Sequence, residues 1–367
     1  MRKRICFVLL AFSWSMVVHA QKTKAVRNLD LNPFYGSILL HNPDISHLIR
    51  EHPGGVILGF NRKTFGEEAW EQRFGFPDEG ISFIYQDMGT STLGKNYGLY
   101  LHYNFYLLKR HLKMRIGQGI AYASSPYDAI TNFRNNAYGS DFMSSTYLML
   151  QFNKERIWNR LGINAGITLV HYSNANVRAP NTSTNTLGLT AGILYELQAE
   201  QPGIEEYKRW PKEPVTEGVR LNLVFRSGIN ESDVVGSGQF PFYIFSAYAD
   251  KRLAQVSAIQ VGTDVFFSNF LKELIAFQSN SFPEMPVDPN ADYKRVGVFI
   301  GHELFINKLT VITQLGYYVY YPFDFEGRVY NRVGIKRYFG SKWFGAISLK
   351  SHGAKAEGIE FGVGIRL

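Results

Sequence analysis

The chain has 367 residues, 45% of them hydrophobic, with a formal charge of +8 and a single cysteine, Cys6. Beyond residue 6 it therefore has neither a disulfide nor a thiolate to serve as nucleophile or metal ligand. The positive excess is mild and is not gathered into Lys/Arg runs interleaved with aromatics, which argues against a nucleic-acid partner and suits an anionic lipid surface.

At the N-terminus, Arg2, Lys3 and Arg4 precede an apolar run from Ile5 to Val18 that closes on Val18-His19-Ala20. This pattern predicts a secretory signal peptide over residues 1–20, cleaved before Gln21. The run is short for the alternative, an uncleaved anchor. No later apolar run approaches the roughly 20 residues that a spanning helix needs. The 22 Tyr, 28 Phe and 34 Gly point instead to a girdled β-barrel in a bacterial outer membrane. Residues 21–79 read as an N-terminal extension that packs against or partly plugs this barrel. Within it, residues 54–62 (GGVILGFNR) have strand character, and Gly66 to Phe76 predicts one or two helical turns with Glu67, Glu68 and Glu71 on a solvated face.

From residue 80 onward, segments of alternating polarity recur near 80–87, 96–107, 112–123, 143–153, 160–173, 185–198, 217–228 and 238–250. Others follow near 254–268, 294–305, 308–321, 329–338, 342–349 and 358–367. Short turns such as LLKRHLK, ADKRL, INK and FGSK are expected in the periplasm, and the longer links around 124–142, 174–184 and 269–293 outside the cell. Residues 199–216, rich in Glu, Lys and Pro, break this rule as a long solvated insertion on the periplasmic side. The pattern predicts an all-β protein with one antiparallel transmembrane barrel over residues 80–367, of about 14 strands, with 12 or 16 within boundary error.

The chemistry concentrates in residues 161–197, LGINAGITLVHYSNANVRAPN followed by TSTNTLGLTAGILYEL. Strand residues i and i+2 share a face, so His171 and Ser173 lie with Ile163, Ala165, Ile167 and Leu169 on an apolar side. If that face meets lipid, so does a nucleophile and base. A serine alcohol needs a base to take its proton, and imidazole is the usual one near neutral pH. A hairpin in register about residue 178 sets Asn185 across from His171, where its amide oxygen accepts the ring N–H without adding a negative charge. Asp87, Asp128 and Asp141, near the expected outer ends, are alternative acids from other loops. His302 and Glu303, being adjacent, point to opposite faces, and His52, His102 and His111 show no metal-ligand spacing.

The segment HYSNANVRAPN with the amphipathic strand after it resembles the lipid A 3-O-deacylase family of outer-membrane barrels, whose Bacteroidetes members are often labelled acyloxyacyl hydrolases. HPGGVILGF, followed by Trp70, Pro77, Gly80 and LGKNYG, is similar to the N-terminal part of that branch. The resemblance implies His171 as general base, Ser173 as nucleophile and Asn174 in the oxyanion hole, on the outside of the barrel facing the outer leaflet. In this chain Asn185 stands where the family usually has Glu, and Asn176 where it has Gly. Family barrels of about eight strands are half this chain's length, so the C-terminal half lies beyond the resemblance. The function so implied is an outer-membrane serine esterase that removes an ester-linked acyl chain from the lipid A of lipopolysaccharide, with no metal or organic cofactor. The alternative is a non-catalytic barrel acting as a channel or binding scaffold. A lipid-facing His171 favours the first and a lumen-facing one the second.

Overall fold

The computed structural model describes residues 26–199, 210, 214–282, 284 and 287–367, so the expected leader over residues 1–20 lies outside the described residues. Alternation of polarity dictates the architecture: each strand turns one row of side chains outward and the other into a lumen. The first eight strands are β1 (Arg27–Ile38), β2 (Gly54–Arg62), β3 (Asp78–Asp87), β4 (Lys95–Leu107), β5 (Leu112–Ala123), β6 (Phe142–Trp158), β7 (Leu161–Ser173) and β8 (Thr184–Glu196). The second eight are β9 (Arg220–Asn230), β10 (Phe240–Ala254), β11 (Ser257–Ser268), β12 (Lys294–Phe305), β13 (Leu309–Tyr320), β14 (Val329–Phe339), β15 (Trp343–His352) and β16 (Lys355–Arg366). Each set closes on itself as an antiparallel barrel, β1 pairing with β8 and β9 with β16.

The expected single barrel of about 14 strands is therefore overturned by two closed barrels of eight strands each. The fourteen segments read from alternation correspond to β3 through β16. The missing pair comes from the segment set apart as an extension: β1 and β2 are wall strands, with Leu31 opposite Leu58 in the ladder. Alternation cannot reveal how many strands close a ring. Closure is decided by long-range pairs such as Phe34 with Thr190 and Val363 with Phe225. The link after Glu196, expected as an insertion in one barrel, joins the two barrels at their short-turn ends. Within this link the Trp210 indole Nε1 donates to the Gly66 carbonyl at 3.3 Å.

An eight-stranded barrel is just wide enough for side chains to fill, and both lumens are filled. In the first, Arg115 donates to Asp30 at 2.6 Å and to Asn61 at 3.0 Å, while Lys63 bridges Glu196 at 2.6 Å and Glu155 at 2.7 Å. In the second, Arg332 donates to Asp264 at 2.9 Å and Glu360 at 2.6 Å, and Arg295 to Glu357 at 2.5 Å. Charges this deep persist because each has a partner and further hydrogen bonds. Glycines make room for large inward rings: a Cβ at Gly117 would lie 2.1 Å from the Tyr147 ring, and one at Gly316 the same distance from Tyr330.

Between β2 and β3 the expected helical turn forms as α1 (Ala69–Arg73), but its face is not uniformly solvated. Glu71 is buried and accepts the Gly66 and Glu67 N–H groups at 2.8 and 2.9 Å, closing the turn. At the long-loop end of the second barrel, α2 (Phe270–Ser281) packs Phe270, Leu271, Leu274 and Ile275 against Phe323 and Phe325.

Candidate active site

The β7–β8 hairpin carries the site at the long-loop end of the first barrel. Its outward row, Ile163, Ile167, Leu187 and Leu189, is exposed, up to 74% at Leu189, while Asn164, Thr168 and Thr190 face the lumen and are buried. His171 continues the outward row. The ladder sets it across from Asn185, and its Nδ1 lies 2.8 Å from Asn185 Oδ1. An amide oxygen only accepts, so the bond assigns the proton to Nδ1 and leaves the Nε2 lone pair available as a base.

Ser173 ends β7 and is buried. Its Oγ donates to Asn181 Oδ1 at 3.1 Å and accepts the Ala175 N–H at 3.0 Å. Among the described residues no hydrogen bond joins Ser173 to His171. The fold brings both to one strand end, but the hydroxyl is turned into the loop. Asn174 is also buried, its backbone N–H donating to Asn181 Oδ1 at 2.9 Å and its Nδ2 to the Arg178 carbonyl at 2.6 Å. The Asn181 oxygen thus receives both the serine O–H and the Asn174 N–H.

Sequence reasoning missed Asn181, which has no marker beyond its place in a polar loop. It also left Asn176 without a physical account. Ala175 and Asn176 adopt φ of +54° and +59°, a region open to glycine and, among other residues, most readily to Asn. Asn176 therefore keeps the turn that a glycine makes, and its Oδ1 accepts from Asn181 Nδ2 at 3.0 Å.

The loop acids lie elsewhere. Asp87 pairs with Lys95 at 3.7 Å. Asp128 caps its own loop, where the N–H groups of Thr131 and Ile130 hold its carboxyl below the usual range. Asp141 is exposed, and among the described residues none of the three bonds to His171. His302 faces outward to Ser257, with Nε2 2.7 Å from its Oγ, while Glu303 turns inward to Lys336 at 3.1 Å. That second Ser–His contact has no orienting partner on the imidazole among the described residues. His102 is bound in the lumen to Asn61, His52 contacts Ser37, and His111 contacts the Leu108 carbonyl.

Residues 54–193 match the family model described as lipid A 3-O-deacylase, and residues 219–367 match the one described as acyloxyacyl hydrolase, C-terminal domain. The gap between the two matches falls in the link between the barrels. No curated protein matches the chain. Among solved structures, the outer membrane protein Omp33 of Acinetobacter baumannii is 7% identical, with 94% of this chain and 97% of that one covered and a TM-score of 0.18. OccAB3 of the same organism is 11% identical, with 94% and 98% covered and a TM-score of 0.23. A mutant porin of Rh. blastica is 10% identical, with 93% and 99% covered and a TM-score of 0.20. Scores this low carry no argument about the present chain.

Proposed function

This chain belongs to the lipid A 3-O-deacylase family of outer-membrane barrels that hydrolyse acyl esters, and we propose that its first barrel is a serine esterase that removes an ester-linked acyl chain from the lipid A of lipopolysaccharide. The observation that carries this reading is the placement of His171: it stands on the outward, apolar wall with Nδ1 held by Asn185, a bond that leaves Nε2 uncommitted. The scheme needs two side-chain movements: Ser173 turns toward His171, and the Asn181 amide gives up its place to the acyl carbonyl oxygen. Ser173 Oγ leaves Asn181 and turns to His171, whose Nε2 takes its proton as Oγ attacks the acyl carbonyl carbon. The carbonyl oxygen, now negative, takes the position of Asn181 Oδ1 and receives the Asn174 N–H, so Asn174 supplies an oxyanion donor. His171 then protonates the departing sugar oxygen, leaving an acyl-Ser173 ester. A water deprotonated by His171 attacks that ester, releases the fatty acid and regenerates the serine. Asn185 holds the ring but supplies no charge to the imidazolium.

The filled lumens favour this reading over a channel, because Arg115 in one barrel and Arg332 in the other are buried in ion pairs across the bore. The test is fatty-acid release from purified lipopolysaccharide by barrels shown to be folded by heat-modifiable migration. Ser173→Ala and His171→Ala are each expected to lower the rate by on the order of 10⁴-fold, because nucleophile and base act as one unit. Undiminished release by folded Ser173→Ala overturns the serine mechanism.

A further inference from the structure

The loop that carries Asn174 is bonded along its backbone by the second barrel. Between β9 and β10 the chain turns through residues 231–239, and this turn reaches across to residues 176–179. The Glu231 N–H donates to the Asn176 carbonyl at 2.8 Å. The Glu231 carboxylate accepts the Ala179 N–H at 3.0 Å through Oε2 and the Gly238 N–H at 3.1 Å through Oε1. Gln239 Nε2 donates to the Val177 carbonyl at 2.7 Å, and Asn176 Nδ2 donates to Asp233 Oδ1 at 3.3 Å. Glu231 is 4% exposed, so its carboxylate is committed to these two N–H groups rather than to solvent.

From this we infer that the second barrel is the holder of the catalytic loop, with Glu231 as its principal positioning residue. The proposal rests on the serine-esterase reading and gives the second half of the chain a role in the same reaction. Backbone polar groups in a buried loop must find partners, and the 174–183 loop contains two consecutive left-handed residues that leave its N–H and C=O groups without a regular ladder. The first barrel supplies part of what is needed, the Asn136 carbonyl accepting the Thr182 N–H at 3.1 Å. The Asn176 and Val177 carbonyls and the Ala179 N–H are instead satisfied from the second barrel. Through Asn176 the contact continues to Asn181 and from there to Ser173, a chain of hydrogen bonds that begins at Asp233 and ends on the nucleophile. Misplacing an oxyanion donor by about 1 Å is enough to cost on the order of 10²-fold in rate.

The experiment uses the full chain with Glu231→Ala, Glu231→Gln and Gln239→Ala, each shown to be folded by heat-modifiable migration. Two readouts are taken: kcat and KM for fatty-acid release from lipopolysaccharide, and the mobility of a spin label introduced by Arg178→Cys. Glu231→Ala is expected to lower kcat by about 10- to 100-fold with KM within about twofold, and to sharpen the label's spectrum. Glu231→Gln keeps one amide oxygen for the two N–H groups and falls between alanine and the parent. Gln239→Ala, which loses a single bond, lowers kcat by less than Glu231→Ala. An unchanged kcat in folded Glu231→Ala, or a label no more mobile than in the parent, overturns the inference. If the parent itself releases no fatty acid, the esterase reading fails, and label mobility still decides whether the second barrel holds the loop.

Discussion

Replacing Asn185 tests how the base is held, and the structure sets the size of the effect. The bond from His171 Nδ1 to Asn185 Oδ1 is 2.8 Å, between neutral groups at a half-buried position. Such a bond is worth about 1 kcal/mol net, and losing it also frees the ring to rotate or to change tautomer. With each 1.4 kcal/mol equal to about tenfold, Asn185→Ala is expected to slow acyl release by about 5- to 20-fold. That is far less than loss of the imidazole itself, because the ring keeps its place in the strand. Asn185→Glu places a carboxylate against the same N–H. Charge-assisted bonds are about twice as strong as neutral ones, and the gain appears where His171 becomes imidazolium, so activity is expected to be retained or to rise by up to about tenfold. The assay is the rate of fatty-acid release from purified lipopolysaccharide. A rate for Asn185→Ala within about twofold of the parent would refute the assignment, and a loss in Asp87→Asn, Asp128→Asn or Asp141→Asn would transfer the role to that loop acid.

A spin label introduced by Leu189→Cys is expected to report hydrocarbon, whereas one introduced by Thr190→Cys is expected to report packed protein; the reverse assignment removes the physical basis for a lipid substrate. In the second barrel, Arg332→Ala leaves Asp264 and Glu360 with the more distant Arg226, at 3.8 and 3.7 Å, as their cationic partner among the described residues, and is expected to cost about 3–5 kcal/mol of stability. Denaturant unfolding in detergent measures that cost, and a midpoint equal to the parent's shows that the lumen charges do not hold the barrel together.

Individual strands were legible wherever outward and inward rows differ in polarity, as at Leu187 and Leu189 against Thr186 and Thr190. β1 was not legible, because Pro33 interrupts its outward row of Leu29, Leu31 and Tyr35, and Asp30 looks like a surface residue until Arg115 is found beside it. Without β1, adding β2 to the fourteen segments makes fifteen, an odd number that does not suit a single antiparallel ring. A cue to the narrow bore was present: inward Arg, Glu and Tyr residues facing inward glycines suit a filled cylinder rather than an open one. At the site, the pairing of His171 with Asn185 follows from hairpin geometry alone. The turning of Ser173 toward Asn181, and the reach of Glu231 into the loop, depend on side-chain and inter-barrel packing that no local pattern encodes.

The packed bores have a further consequence for how such a reaction proceeds. If Ser173 is the nucleophile, then, with both bores filled by the described side chains, what enters or leaves it does so sideways, within the plane of one leaflet. The cleaved chain and the trimmed glycolipid both stay dissolved in that same two-dimensional phase. Turnover is then governed by the mole fraction of substrate among neighbouring lipids rather than by its bulk concentration, and diluting the substrate with inert amphiphile slows the enzyme even at constant molarity. The accumulating products compete for the wall that the substrate must reach, so the reaction brakes itself as the membrane around the protein is remodelled.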